Sequence, residues 1–180
     1  MRLRLFANVI TLGALSTAPA LAQAPPQPGP EHALLKAEAG TWDAALEMAM
    51  PDGTKMTAKG VQTDAVGCNG LCLITDFKAD MMGMPFEGHG LTTWDPAKKK
   101  YVGSWADSMT PGMATTEGTY DPAAKKMTTW MEALDPSGTV GKMRSENAYP
   151  DADHKSMTMF MKGPDGKDAE GMQIVYTRRK

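Results

Sequence analysis

Residues 90–101 read GLTTWDPAKKKY, and residues 118–127 repeat the phrase as GTYDPAAKKM. In both stretches an aromatic residue ends an extended run, Asp-Pro starts a turn, and lysines lead into a second extended run. Proline fixes φ near the value that the first turn position needs, and aspartate can bond its own backbone two residues on. The repeat therefore predicts consecutive antiparallel hairpins, which make a β meander.

Apolar residues alternate with polar ones on both sides of these hairpins, as in half-buried strands. Runs of this kind occupy residues 42–50, 73–81, 101–105, 127–131, 157–161 and 172–176. The spacing of the turn signals predicts about nine to ten strands joined by short connections. We therefore expect an all-β fold, a single antiparallel up-and-down β-barrel, since closing the sheet removes its edges. Good helix formers at 31–39, stopped by Gly40, predict a short helix that caps one end.

The first residues have the order of a secretory signal peptide: two arginines, an apolar run at 5–15, and Ala20-Leu21-Ala22 as a cleavage site. A membrane anchor is the alternative, but the run is too short to span a bilayer. We assign residues 1–22 to the signal, 23–30 to a proline-rich tether and 31–180 to the barrel domain. This organisation predicts an exported protein, periplasmic or secreted, without a transmembrane segment in the mature chain.

The formal net charge is −2 and the pI is about 5.9. These values leave no large basic face, so we do not expect nucleic acid as a partner.

Cys68 and Cys72 are the only cysteines. In an oxidising compartment such a pair predicts a disulfide, and its small ring stabilises the fold by roughly 2 kcal/mol. A redox pair or a metal clip is the alternative, but the thioredoxin-type spacing is absent and no adjacent histidine completes a zinc site.

Gly40-Thr41-Trp42, directly after the predicted helix, resembles the Gly-x-Trp signature of lipocalins and the wider calycin superfamily. In that superfamily the tryptophan packs against an arginine from the end of the last strand. The resemblance implies structural roles for Gly40, Trp42 and Arg178, with Arg179 as the alternative partner.

With its aromatic-Asp-Pro-Lys hairpins and its terminal Tyr176-Thr177-Arg178-Arg179, the chain more closely resembles the exported bacterial domain of unknown function 1579 family, which has a lipocalin-like barrel. The resemblance covers nearly all of residues 31–180. It implies a fold and no established activity.

The sequence contains 16 methionines, many of them on predicted strand faces. They could fill the core, line an adaptable ligand pocket, or bind Cu(I) through soft thioethers. The copper hypothesis centres on Met81, Met82 and Met84, near His89. Core packing and pocket lining are the interpretations that the strand positions favour.

No motif predicts catalysis. The chain has no Gly-x-Ser-x-Gly elbow, its cysteines are expected to be oxidised, and its three histidines lack paired spacing. Strand carboxylates such as Glu117, Glu132 and Glu146 are expected on the solvent face. We therefore expect a protein that is not an enzyme and needs no cofactor or metal, while an enzyme would show a perturbed titratable group at a pocket.

The function predicted is reversible binding of a small apolar or amphipathic molecule inside the barrel. Strand parity predicts that the lining residues are Leu46, Met48, Phe77, Trp105, Met131, Met159 and Ile174. The alternative is an interaction module for another envelope protein, with a filled barrel and an exposed apolar patch.

Overall fold

A computed structural model describes residues 24–50, 52–134, 138–162 and 166–180. It contains one α-helix, α1 (His32–Glu38), and a short 3₁₀ turn, Cys68–Gly70. The ten strands are β1 (Gly40–Ala49), β2 (Lys55–Gly67), β3 (Cys72–Met81), β4 (Met84–Asp95), β5 (Lys100–Asp107), β6 (Ala114–Asp121), β7 (Lys126–Leu134), β8 (Val140–Ala148), β9 (His154–Lys162) and β10 (Asp168–Arg178). The predicted signal peptide, residues 1–22, lies outside the described residues.

The ten strands form one closed barrel in which every strand pairs antiparallel with its neighbours in the chain. β1 closes the barrel against β10, with Trp42 opposite Arg178 and Met48 opposite Met172. This arrangement confirms the predicted all-β, up-and-down barrel and its strand count.

The two repeated sequence phrases form equivalent turns at the same end of the barrel. Asp95 Oδ1 accepts hydrogen bonds from the backbone N–H groups of Ala97 and Lys98 at 2.9 and 3.0 Å. Asp121 Oδ1 accepts the corresponding pair from the second and third residues that follow it, at 2.9 and 3.2 Å. The aspartate side chain replaces missing backbone partners, which is why Asp-Pro can initiate both hairpins.

Helix α1 covers the end of the barrel where these turns lie. Leu35 is buried in a cluster with Leu73, Tyr101 and Met127. The Tyr101 hydroxyl donates to the Glu31 carbonyl at 2.8 Å. Apolar contact and this bond hold the helix over the barrel, as predicted for residues 31–39.

Residues 24–29 have no regular secondary structure. Pro28 nevertheless lies against Gly70, where a Cβ would come within 2.7 Å of the proline ring. The end of the predicted tether therefore contacts the turn between β2 and β3. Among the described residues, none forms a helix long and apolar enough to cross a membrane.

A second apolar cluster fills the side of the barrel formed by β1, β2, β3 and β10. Its fully buried members are Trp42, Ala44, Leu46, Phe77, Met81, Ile174 and Tyr176. This packing leaves space for a site beneath the helix.

Candidate functional site

A cavity of about 210 Å³, partly open to solvent, lies between helix α1 and the middle of the strands. Residues of the helix and of most strands line it: Leu34, Leu35, Glu38, Gln62, Leu73, Thr75, Thr92, Tyr101, Thr116, Gly118, Met127, Thr129, Asn147, Tyr149, Lys155, Met157 and Tyr176. At about 30 Å³ per water in the liquid, this volume equals roughly seven waters. The wall is amphipathic, because leucines and methionines alternate with hydroxyl, amide and charged groups.

A buried ion network lies at the helix end of this cavity. Lys155 Nζ on β9 donates to Glu38 Oε2 at 2.8 Å and to Asp64 Oδ2 at 3.0 Å. The side chains of Lys155 and Asp64 are 6% and 0% exposed, and that of Glu38 is 16% exposed. Charges so far removed from water are tolerated only when they are paired and hydrogen-bonded.

Neutral side chains complete this network. Gln62 Nε2 and the Thr75 hydroxyl donate to Asp64 at 2.8 and 2.6 Å. The Tyr149 hydroxyl donates to Glu38 Oε1 at 2.6 Å. Asp64 therefore accepts three side-chain bonds and Glu38 accepts two, so neither carboxylate lacks a partner.

Trp42 lies between two cations at the same end of the barrel. Lys155 Nζ is 4.4 Å from the centroid of the ring, and the Arg178 guanidinium carbon is 4.0 Å from it. Arg178 also donates to the Ala39 carbonyl at 2.7 Å. Gly40 has φ +140°, and a Cβ there would lie 2.5 Å from Arg178 Nη1, so the arginine occupies the space that a side chain would need.

Several polar groups of the cavity wall have no protein partner. Within the described residues, this holds for the Tyr176 hydroxyl, although Tyr176 is only 5% exposed. It also holds for the side chains of Thr92, Thr116, Thr129 and Asn147. Four of these residues are only partly buried, and in the described chain no fully buried side-chain polar atom lacks a partner, so the five groups face accessible space and present donors and acceptors to whatever fills the cavity.

The cavity tyrosines keep their protons over a wide pH range. Burial is the largest cause that raises the pKa of Tyr176, followed by the negative charges of Asp64 and Glu38. Burial also raises the pKa of Tyr149 well above its ordinary value, with Glu38 adding to the effect. Both hydroxyls are therefore neutral hydrogen-bond donors at physiological pH. They are perturbed titratable groups at a pocket, the feature that the enzyme hypothesis predicts.

Trp105 lies flat against β4 inside the barrel. A Cβ on Gly88 would be 2.2 Å from Trp105 Cζ2, and a Cβ on Gly90 would be 3.2 Å from Cε3. The indole Nε1–H donates to Asp107 Oδ2 at 2.9 Å. Two glycines thus make room for the ring against the wall, and the bond to Asp107 fixes its orientation.

The seven predicted lining residues all share the inward-facing parity of their strands, as the pairing register requires. Leu46, Phe77 and Ile174 are buried in the core. Met48, Trp105, Met131 and Met159 are partly buried. None of the seven lines the cavity, whose apolar wall is formed by other leucines and methionines.

Sequence reasoning missed the polar part of the cavity. Lys155 lies two residues before Met157 on the same strand, so both side chains face the barrel interior, and Met157 lines the cavity. The alternation that predicted an inward face for the methionines therefore also predicts an inward face for Lys155. Asp64, by contrast, departs from the expectation that strand carboxylates face solvent, because the barrel supplies a buried cation for it.

The methionines of the copper hypothesis lie at the hairpin between β3 and β4. Met81 pairs with Met84 across a turn at Met82 and Gly83. Met81 is buried, while Met82 and Met84 are 66% and 52% exposed. His89 has the opposite strand parity and bonds Asp76 at 2.6 Å on the outer face, so it does not join them. Among the described residues, no group of three or more His, Cys, Asp or Glu side chains could hold a metal ion.

Cys68 and Cys72 form a disulfide across the short turn between β2 and β3, with their Cα atoms 5.5 Å apart.

A wider groove of about 590 Å³ lies over β1, β2 and β10. Its walls are mostly outward-facing residues such as Glu47, Lys59 and Val175, so it is a surface depression and not part of the barrel interior.

The family model described as "Protein of unknown function (DUF1579)" matches residues 27–178. The chain belongs to this family. A search of curated proteins gave no match.

Several solved structures share the fold, including one from M. tuberculosis and one from Guillardia theta. Rv2717c from M. tuberculosis has a TM-score of 0.63 and 14% identity, and the match covers 84% of this chain and 99% of that one. The S-type phycobiliprotein lyase CPES from Guillardia theta has a TM-score of 0.57 and 9% identity, and the match covers 83% of this chain and 93% of that one. At these identities the likeness shows a common barrel architecture.

Proposed function

We propose that this member of the DUF1579 family reversibly binds one small amphipathic molecule between helix α1 and the middle of its barrel. The observation that carries the proposal is the set of five polar side chains that have no protein partner among the described residues and line a partly open cavity of about 210 Å³. A core selected only for stability would bond such groups to one another or replace them with apolar residues. Groups held open in this way suit a ligand with its own donors and acceptors.

The apolar part of the ligand is proposed to extend toward the end of the barrel opposite the helix. There the partly buried Met48, Trp105, Met131 and Met159 supply flexible thioethers and one flat indole. Thioether side chains adapt to ligands of different shape at little energetic cost. Leu46, Phe77 and Ile174 would then form the fixed wall behind them.

The polar network supports binding rather than catalysis. Lys155, Glu38 and Asp64 are engaged with one another, so none of them is a free base or nucleophile. One structural neighbour is named as a lyase, so the shared barrel does not by itself separate a binding protein from an enzyme. The cavity also counts against an interaction module whose barrel is filled.

We propose further that the protein acts in the periplasm or outside the cell. The disulfide between Cys68 and Cys72 supports this, because such bonds persist mainly in oxidising compartments. The predicted signal peptide would bring the chain there.

The test is native mass spectrometry of the mature protein purified from its own host envelope, followed by denaturation and identification of the released molecule. We expect one small amphipathic molecule per chain. Thr116→Met should displace it, because a longer side chain on the cavity wall fills the space. Thr115→Met is the matched control, because Thr115 is the preceding residue of the same strand and its side chain is exposed on the outer face. Empty wild-type protein, or equal retention by both variants, would contradict the proposal.

A further inference from the structure

The charge of the cavity wall indicates which chemical class of ligand the cavity would bind, an inference that rests on the proposed function. Glu38 and Asp64 contribute two negative charges, and Lys155 contributes one positive charge. The formal charge of the network is therefore −1. The next cation, Arg178, lies on the other side of Trp42 and bonds backbone carbonyls there.

Lys155 also lines the cavity, but most of its hydrogen-bonding capacity is already used. Two of its three N–H donors point to carboxylates at 2.8 and 3.0 Å. The ammonium also lies 4.4 Å from the Trp42 ring and 5.2 Å from the Tyr176 ring, and both ring faces attract its charge. An incoming carboxylate would find at most one free N–H on Lys155 and would be repelled by the two carboxylates already bonded to it.

Glu38, by contrast, keeps unused capacity on the cavity side. A carboxylate has about four lone-pair positions, and Glu38 uses one for Tyr149 and one for Lys155. Its side chain is 16% exposed and lines the cavity, whereas Asp64 is fully buried behind the wall. Glu38 is therefore the acidic group that a ligand can contact.

Tyr176 provides an independent sign that a ligand is held here. It is only 5% exposed, its hydroxyl lines the cavity, and within the described part of the chain it has no hydrogen-bond partner. In the described part of the chain no fully buried side-chain oxygen or nitrogen lacks a partner, so this hydroxyl faces accessible space, where a ligand or water can bond it. Tyr176 and Glu38 line the same cavity.

We propose that the cavity selects small amphipathic amines, with the ammonium group bonded to Glu38 and a second polar contact at Tyr176, and that it rejects carboxylates of the same size. The negative network attracts the cation, and its burial makes the attraction stronger than that of a charge on the open surface. Neutral alcohols bind with intermediate affinity, because they can donate to Glu38 without the charge.

Three probes with the same hydrocarbon test the selection: hexylamine, hexanol and hexanoate. Each has a non-hydrogen atom count close to the roughly seven waters that the cavity can hold. Their binding to the mature full-length protein is measured by NMR titration, with the methionine methyl signals reporting where each probe lies. We expect hexylamine to bind at least tenfold more tightly than hexanoate and to shift the signals of Met127 and Met157, which line the cavity.

Two variants locate the contacts. Glu38→Gln should weaken hexylamine at least tenfold without weakening hexanoate, while Glu47→Gln, on the outer face beside Lys55, should change neither affinity. Tyr176→Phe keeps the ring and removes the hydroxyl, so it should weaken hexylamine and hexanol about threefold to tenfold even if Glu38→Gln does not fold.

The outcomes separate this inference from the proposed function. If hexanoate binds as tightly as hexylamine, or more tightly, at the same methionines, the selection for amines is wrong and the cavity is still a binding site. If none of the three probes shifts the cavity signals, both the selection and the proposed binding function are wrong.

Discussion

Replacing Lys155 with methionine tests the buried network most directly. The substitution keeps an apolar stem of similar length and removes the ammonium group between Glu38 and Asp64. It leaves two carboxylates facing each other with no cation, one of them fully buried. Removing one partner of a buried ion pair costs about 3–5 kcal/mol, and we expect a loss of this size in the free energy of unfolding.

The assay is urea unfolding of the mature protein at neutral pH, followed by circular dichroism, with thermal unfolding as a second measurement. At about 2–4 °C per kcal/mol for a domain of this size, the melting temperature should fall by about 6–20 °C. Lys78→Met is the control, because Lys78 pairs with Glu87 on the surface, where both side chains are more than half exposed. That pair should contribute less than about 1 kcal/mol.

A triple variant separates charge from packing. Combining Lys155→Met with Glu38→Gln and Asp64→Asn removes all three charges, and we expect it to recover most of the lost stability, since neutral replacements of buried ion networks are often tolerated. A loss for Lys155→Met no larger than that for Lys78→Met would refute the buried network. A triple variant as unstable as the single one would show that packing of the lysine stem, and not charge, explains the loss.

Three further predictions concern the wall and the titrating groups. Gly88→Ala should push the Trp105 indole off β4, which should lower the free energy of unfolding by about 1–3 kcal/mol and shift the tryptophan emission. Gly141→Ala is the control and should cause neither change, because no atom would lie closer than 3.9 Å to its Cβ. Equal effects of the two substitutions would contradict the packing of the indole. Hydrogen bonds from two lysines lower the pKa of Glu117 to about 2, so NMR titrations should show its carboxyl ionised until near that pH, and neutralising both lysines should raise the midpoint. The stability that it contributes should be complete above its ordinary pKa of 4.5 and should be lost as pH falls from there to about 2. Burial raises the pKa of Tyr176, so its phenolate absorbance should appear only on unfolding. The free energy of unfolding should fall as pH rises above about 10, because the tyrosine ionises there in the unfolded chain. Titration of every tyrosine in the folded protein would contradict this prediction.

The fold could be predicted because its determinants are local. Asp95 and Asp121 each bond the backbone within three residues, so the turn is encoded where it occurs. Strand parity is equally local, and it correctly placed Leu46 and Ile174 on the inner face. Once consecutive hairpins of this kind are established, an up-and-down order follows, because short turns leave each strand no other neighbour.

The polar site could not be predicted in the same way. Lys155 is 117 positions from Glu38 and 91 from Asp64, and only the closed barrel brings the three together. Taken alone, each of them resembles an ordinary solvated charge, since isolated charges are rarely buried. The unpartnered hydroxyl of Tyr176 is also a property of the cavity and has no counterpart in the order of the residues.

The closure of β1 by β10 has a consequence for how the protein acquires its structure. Nine of the strand pairings join neighbours in the chain and can form as local hairpins, but β1 must wait for the strand that comes last in the sequence. Until β10 arrives, the growing sheet carries two unpaired edges, which are open to association with other chains. Trp42, opposite Arg178 in this final pairing, joins the first and last strands beside helix α1. We therefore expect folding to be limited by this long-range step, and chains that stop before β10 to aggregate rather than form a smaller barrel.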